Sequence, residues 1–281
     1  MAPARARRPG AASAQLEPES PDERESCPFC EGHEDRTPPE IIALPFESRG
    51  EPNTPGWRVR VVPNLYPAFE RHEVVVHSPR HVRTFADLSD EDLAFVADAW
   101  IAREASAAAP NAYFHALINE GRAAGASLPH SHSQLVWLPE PPPAVRDERP
   151  GGLAELLEAA GEQDLIVATA ENRFDEVIAF CHPVGRLPYE TMIMVASDSQ
   201  FEPWSFEPTL IDALQLLRDV VGRLRAVEGP VPWNAWLHHG NAPWHIELVP
   251  RLSILAGLEL GAGVYVNSLR PEQAAENLRG A

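Results

Sequence analysis

Two long amphipathic stretches dominate the pattern of apolar and polar positions. Residues 207–227 carry Leu210, Leu214, Leu217, Val221 and Leu224 at spacings of three and four, which predicts a helix with one apolar face. Residues 87–105 form the second, opened by Ser89-Asp90-Glu91-Asp92, where a serine and an acidic residue three positions on can cap a helix start reciprocally. A short strand-like run precedes each helix: residues 72–77, apolar at Val74, Val75 and Val76, and residues 189–196. Two more strand-like runs follow each helix. The final ones share a pattern, His132-Ser133-Gln134-Leu135-Val136 against His245-Ile246-Glu247-Leu248-Val249. This repetition predicts an α+β fold of tandem duplicated units, each an antiparallel sheet with one long helix packed on it.

Breaks in the pattern divide the chain. Residues 1–24 are rich in Ala, Arg, Pro and Glu without apolar periodicity and read as a disordered leader. Residues 139–152, a proline-rich and then charged run, separate an N-terminal unit over 25–145 from a C-terminal unit over 146–281. The longest apolar runs are far shorter than the roughly 20 residues a membrane helix needs. No apolar stretch follows the early arginines Arg5, Arg7 and Arg8, so a cytoplasmic location is expected.

The strongest local signal is Cys27-Pro28-Phe29-Cys30. Two thiolates at this spacing can grip one tetrahedral zinc, with histidines available as the further ligands. A redox dithiol would normally open a helix after a strand, which Glu31-Gly32-His33 does not suggest. Unpaired structural thiols are the bland alternative. Cys181, in an apolar run, reads as core. The second signal spans residues 119–134. Gly121 and Gly125 let the backbone approach a bulky anion, and Ser127 with free amides can donate to phosphate oxygens. His130 and His132 follow two apart, on one side of an extended strand, with Gln134 on the same side. Either both rings bind one metal, or one binds metal while the other acts as a nucleophile.

Charge narrows the substrates. There are 23 basic and 41 acidic side chains, a formal charge of -18, and no lysine at all. Schiff-base chemistry and the lysine of a Walker-type phosphate loop are thereby excluded. Binding to a nucleic-acid backbone, which requires a basic surface, is not expected either.

Taken together, the Cys27 knuckle, the Ser78-Pro79-Arg80-His81 turn, the 119–134 stretch, the Pro188-Tyr189-Glu190-Thr191 run and the segment from His239-Gly240 to Pro250 resemble galactose-1-phosphate uridylyltransferase, a branch of the histidine-triad superfamily. The resemblance implies two histidine-triad-like domains. It implies a zinc held by Cys27, Cys30, His81 and His130, with His132 as nucleophile and Gln134 beside it. Asn64 and Tyr66 would lie by the nucleoside; Asn119, Ser127 and Gln134 by the phosphates; Glu259 by the sugar. The activity implied is transfer of UMP from UDP-glucose to a hexose 1-phosphate, galactose 1-phosphate by analogy, in a homodimer. An adenylyl-transferring relative, such as an ADP-glucose or dinucleotide phosphorylase, is the nearest alternative; a simple hydrolase and a non-catalytic zinc-stabilised nucleotide-binding protein are others. Three departures are visible: Ser131 stands where the family has proline, His245-Ile246-Glu247 where it has a His-x-His, and Gly257-Leu258-Glu259 where it has a tyrosine before the glutamate. The second metal site of some members would fall on Glu148, His239, His245 and Glu247.

Overall fold

The computed structural model describes residues 15–46, 50–106, 112–149, 151–196, 203–240 and 243–281. Ten strands form one sheet: β1 (Ile42–Leu44), β2 (Val59–Pro63), β3 (His72–Val76), β4 (Tyr113–Glu120), β5 (His132–Leu138), β6 (Ile166–Glu171), β7 (Glu176–Cys181), β8 (Thr191–Val195), β9 (Trp233–His238) and β10 (His245–Pro250). Their spatial order is β1-β2-β3-β5-β4-β9-β10-β8-β7-β6, and every neighbouring pair is antiparallel.

That order reads the same from both ends when β1 to β5 are matched with β6 to β10. The fold is therefore α+β and internally repeated, but the two expected sheets are fused edge to edge. The junction is the β4–β9 pairing, in which Leu117 faces Trp236 and Asn119 faces Asn234. An exposed sheet edge leaves a row of unpaired N–H and C=O groups, and joining the units here satisfies both inner edges at once.

One long helix per half follows β3 and β8. Helix α2 (Asp90–Ala105) begins where Ser89 accepts from Asp92 N–H and Asp92 accepts from Ser89 N–H, the reciprocal cap anticipated from sequence. It starts three residues later than the expected 87, because residues 85–87 make a separate 3-10 turn capped by Thr84. Helix α5 (Glu207–Glu228) buries Leu210, Leu214, Leu217, Val221 and Leu224, the stripe read from their spacing. Both helices cover one face of the sheet: Trp100 of α2 donates to Ser133 Oγ at 2.9 Å, fixing Ser133, Leu135 and Trp137 toward the helices. Strand alternation then turns His132, Gln134 and Val136 to the opposite face.

The leader differs from expectation. Residues 1–14 lie outside the described residues, but Leu16 N–H donates to Pro230 O at 2.6 Å and Arg83 donates to Glu17 O at 2.7 Å. A short helix, α1 (Glu23–Ser26), then leads into the cysteines. Gly121 shows how closely this segment lies: its φ is +86°, and a Cβ there would fall 2.4 Å from Leu16 Cδ2. The 139–152 stretch is also structured in part, with α3 (Pro143–Arg146) burying Val145; residue 150 is outside the described set. Helices α4 (Gly152–Glu162), α6 (Gly257–Ala262) and α7 (Pro271–Arg279) complete the chain. No helix among the described residues is long and apolar enough to cross a membrane.

At the end of β4, Glu120 accepts from Thr84 Oγ and from Phe85 N–H at 2.8 and 2.7 Å. Burial pushes its carboxyl up to about 7, against the lowering effect of those bonds. A carboxyl raised in the folded state contributes stability below its unfolded value of 4.5, and that contribution is lost as pH rises through about 7. Glu120→Gln should remove this slope, gaining on wild type by up to about 3 kcal/mol between pH 5 and pH 8. Urea midpoints that fall in parallel for both proteins would show that Glu120 is not the source.

Candidate active site and metal centres

On the open face of the N-terminal half, the cysteine knuckle and two histidines converge. Cys27 Sγ is 3.4 Å from His130 Nδ1, Cys30 Sγ is 3.2 Å from His81 Nδ1 and 3.8 Å from His130 Nδ1. All four ligand atoms lie within 4.8 Å of one another. Tetrahedral zinc with bonds of about 2.3 Å to sulfur and about 2.0 Å to nitrogen has S···N edges of roughly 3.5 Å, the middle of this range. The opposite ring nitrogens decide the donor set. His130 Nε2 is 2.9 Å from Ser78 O and His81 Nε2 is 2.9 Å from Glu23 Oε1. A carbonyl or carboxylate can only accept, so both protons sit on Nε2 and both Nδ1 lone pairs face the thiols. Burial raises both thiols, Cys30 to about 12, which is costly chemistry for a thiolate pair until a cation joins it. These residues therefore fit a zinc ion.

His132 is not in that group. Its Nδ1 is 2.7 Å from His130 O, again an obligate acceptor, so Nδ1 carries the proton and Nε2 keeps its lone pair. With the proton on Nδ1, Nε2 is the ring nitrogen available as a nucleophile. Burial lowers the ring's pKa, against the raising effect of the His130 carbonyl, so the ring is neutral near pH 7. Phe29 packs its ring against His132 at 5.4 Å and against His130 at 6.0 Å, tying the knuckle to both. Ser131, at the family's proline position, is not left loose: its Oγ meets His77 Nδ1 at 2.9 Å, its carbonyl accepts from His77 N–H, and its N–H donates to Val82 O.

Beside it, Gln134 Oε1 is 2.8 Å from His72 Nε2. Because Ala68 N–H donates to His72 Nδ1, the His72 proton is on Nε2 and points at Gln134. Asn64 adjoins the same ring at 3.1 Å, and its Oδ1 accepts from Tyr66 N–H, leaving the Tyr66 ring out in solvent. Asn64, Gln134 and His72 thus form one polar patch. Sequence reasoning missed His72; its signal was its place at the start of a strand whose register sets Val74 opposite Gln134. Asn119 lies at the other end of the 3-10 turn at Arg122–Ala124, and Ser127 is exposed on the loop between that turn and His130. Glu259 accepts from Ala256 N–H at the start of α6 and belongs to neither His-containing cluster.

The C-terminal half holds a second cluster, with one correction. Glu148, His238, His245 and Glu247 have ligand atoms within 4.8 Å of one another; His238 replaces the expected His239. His238 ends β9 and directs Nδ1 to Glu148 Oε1 at 2.7 Å, whereas His239, one residue on, stacks on Tyr113 at 4.4 Å and reaches Phe114 O at 2.7 Å. Burial raises Glu247, but the His245 contact and the Arg186 guanidinium outweigh it and bring the carboxyl down to about 2. Two imidazoles and two carboxylates suit a divalent transition metal. The duplication is exact in one local detail: His245 Nδ1 faces the carbonyl two residues back, Pro243 O, as His132 faces His130 O.

The chain and its fold resemble enzymes that move nucleotidyl groups. The chain belongs to the family described as a domain of unknown function, DUF4921, whose model matches residues 93–280. It is 28% identical to an ADP-glucose phosphorylase of Arabidopsis thaliana over 99% of this chain and 88% of that protein. It is 23% identical to a galactose-1-phosphate uridylyltransferase of Thermotoga maritima over 95% of this chain and 93% of the other. A crystal structure of an Arabidopsis thaliana ADP-glucose phosphorylase with bound ADP-glucose superposes with a TM-score of 0.78 at 25% identity, covering 100% of this chain and 94% of that one.

Purified protein is expected to carry about one zinc at the Cys27 site, and Cys27→Ser to lose that zinc together with more than about 5 °C of thermal stability. Elemental analysis paired with a thermal melt checks this. An unchanged melt in zinc-free protein would mean that the four residues support the fold without metal.

Proposed function

We propose that this protein is a nucleotidyltransferase that takes the nucleoside monophosphate from a nucleoside diphosphate glucose onto His132, then passes it to a phosphate acceptor. The observation that carries the reading is the His132–His130 carbonyl bond, which puts the proton of a neutral imidazole on Nδ1 and the lone pair on Nε2. In the first step Nε2 attacks the α-phosphorus, a P–N bond forms, and the bond to the bridging oxygen breaks, releasing glucose 1-phosphate with the electron pair. In the second, an oxygen of the acceptor phosphate attacks the same phosphorus and the P–N bond breaks. The acceptor is already an anion, so no separate base has to remove a proton.

The chain's own groups supply the rest. In this reading Asn119, Ser127 and Gln134 donate to the phosphate oxygens; His72 holds Gln134 Oε1 and so leaves its amide N–H groups to donate. Asn64 and Tyr66 flank the nucleoside. Cys27, Cys30, His81 and His130 would hold a zinc ion, whose contribution would be positional, fixing the segment whose carbonyl orients His132.

We favour adenylyl transfer from ADP-glucose to inorganic phosphate, giving ADP and glucose 1-phosphate. The likeness to ADP-glucose phosphorylase supports it, and Leu258 in place of the family tyrosine weighs against galactose as the sugar. Uridylyl transfer from UDP-glucose to galactose 1-phosphate is the second reading, supported by the 23% identical Thermotoga maritima relative.

Intact-protein mass spectrometry after exposure to ADP-glucose or UDP-glucose, without acceptor, distinguishes them. An AMP adduct that disappears on adding phosphate is the expected result; a UMP adduct discharged by galactose 1-phosphate supports the second reading. His132→Gly is expected to fold, keep its zinc, form no adduct and lose turnover by at least about 10³-fold. His130→Asn should instead lose zinc and stability. An adduct of equal yield on His132→Gly would remove the covalent mechanism.

A further inference from the structure

Asn234 stands on β9, in the C-terminal half, directly opposite Asn119 on β4. Its side-chain Nδ2 lies 2.7 Å from Asn119 Oδ1 and 2.7 Å from Ala124 O. The polarity of both amides follows. Ala124 O is a backbone carbonyl and can only accept, so the Asn234 atom facing it must be the NH₂ group. That NH₂ group can only donate, so the Asn119 atom facing it must be Oδ1. Asn119 is left presenting its own NH₂ group, which lies on the side of Gly125, 3.8 Å from where a Cβ on that glycine would stand. The second bond, to Ala124 O, pins the 3-10 turn that joins Asn119 to the Gly125–Ser127 loop.

We infer that Asn234 is a positioning residue for the nucleotide phosphates: it locks Asn119 as a donor and fixes the adjoining loop, so that the C-terminal half sets the polarity of the anion site in the N-terminal half. An unlocked asparagine samples both orientations and must reorganise before its amide meets a phosphate, whereas a locked one is already set to donate. This inference rests on the nucleotidyltransferase reading above, in which Asn119 meets a phosphate.

A double-mutant cycle on the zinc-loaded, full-length protein tests it. Initial rates with the nucleoside diphosphate glucose that wild type turns over are expected to show kcat/KM lowered at least about 10-fold in both Asn234→Ala and Asn119→Ala, with the double variant no worse than Asn119→Ala alone. Asn234→Asp should be worse than Asn234→Ala, because a carboxylate would draw the Asn119 NH₂ group to itself and add a negative charge. Asn234→Ser, whose hydroxyl can still donate to Asn119 Oδ1, should recover part of the loss. Zinc content and melting temperature, measured on each variant, report whether the joint between the halves is intact. Losses that multiply in the double variant, or an Asn234→Ala enzyme as active as wild type, would overturn the positioning role while leaving the nucleotidyltransferase reading standing. A wild-type protein that turns over neither ADP-glucose nor UDP-glucose overturns that reading and this inference with it.

Discussion

The antiparallel pairing of β4 with β9 is the constraint on which the rest of the molecule depends. Each half by itself would end in an open edge with its backbone groups unpaired. Joined, the halves form one ten-stranded sheet with both long helices on one face, and Asn119 of one half is brought against Asn234 of the other. Glu120, Thr84 and Phe85 close the end of the same joint. The open face, relieved of any need to cover a helix, is left for the knuckle, the loop and the two clusters of titratable side chains.

A single chemical device recurs across that face. Backbone carbonyls and carboxylates, which accept and never donate, fix the proton on one nitrogen of His81, His130, His132 and His245 and thereby decide what the other nitrogen can do. Ser78 and Glu23 leave the Nδ1 lone pairs of His130 and His81 facing the thiols; His130 O leaves the lone pair of His132 on Nε2. The duplicated strand repeats the device at His245, where the neighbours are Glu148, His238 and Glu247. With Glu247 where Gln134 stands in the first half, the same backbone presents a carboxylate in place of an amide.

Much of this was legible in the amino-acid order. The spacing of Leu210, Leu214, Leu217, Val221 and Leu224 marked α5, the Ser89–Asp92 pair marked the start of α2, and the shared His132 and His245 strands marked the repeat. The converging cysteines and histidines followed from residue type and resemblance. What was hidden is long-range. Nothing in the local pattern around 113–120 or 233–238 says that these strands pair with each other, so the fusion of the sheets and the role of Asn234 were out of reach. His238 and His239 are adjacent and differ only in which way the strand end turns them, so residue type alone does not choose His238 for the second cluster. Glu23 was missed because acidic, proline-rich sequence carries no apolar period, although ion pairs and backbone bonds can anchor such a segment.

That segment has a practical consequence for anyone trimming the chain. Composition invites a cut near residue 24, just ahead of the cysteines. Such a cut would take away Leu16, which lies over Gly121, and Glu23, whose carboxylate holds both His81 and Arg83. A shortened protein made on that logic would keep all four sulfur and nitrogen ligands while losing the group that orients one of them. Its metal affinity would then describe the truncation, not the enzyme. A boundary placed before Gln15 keeps the described packing whole.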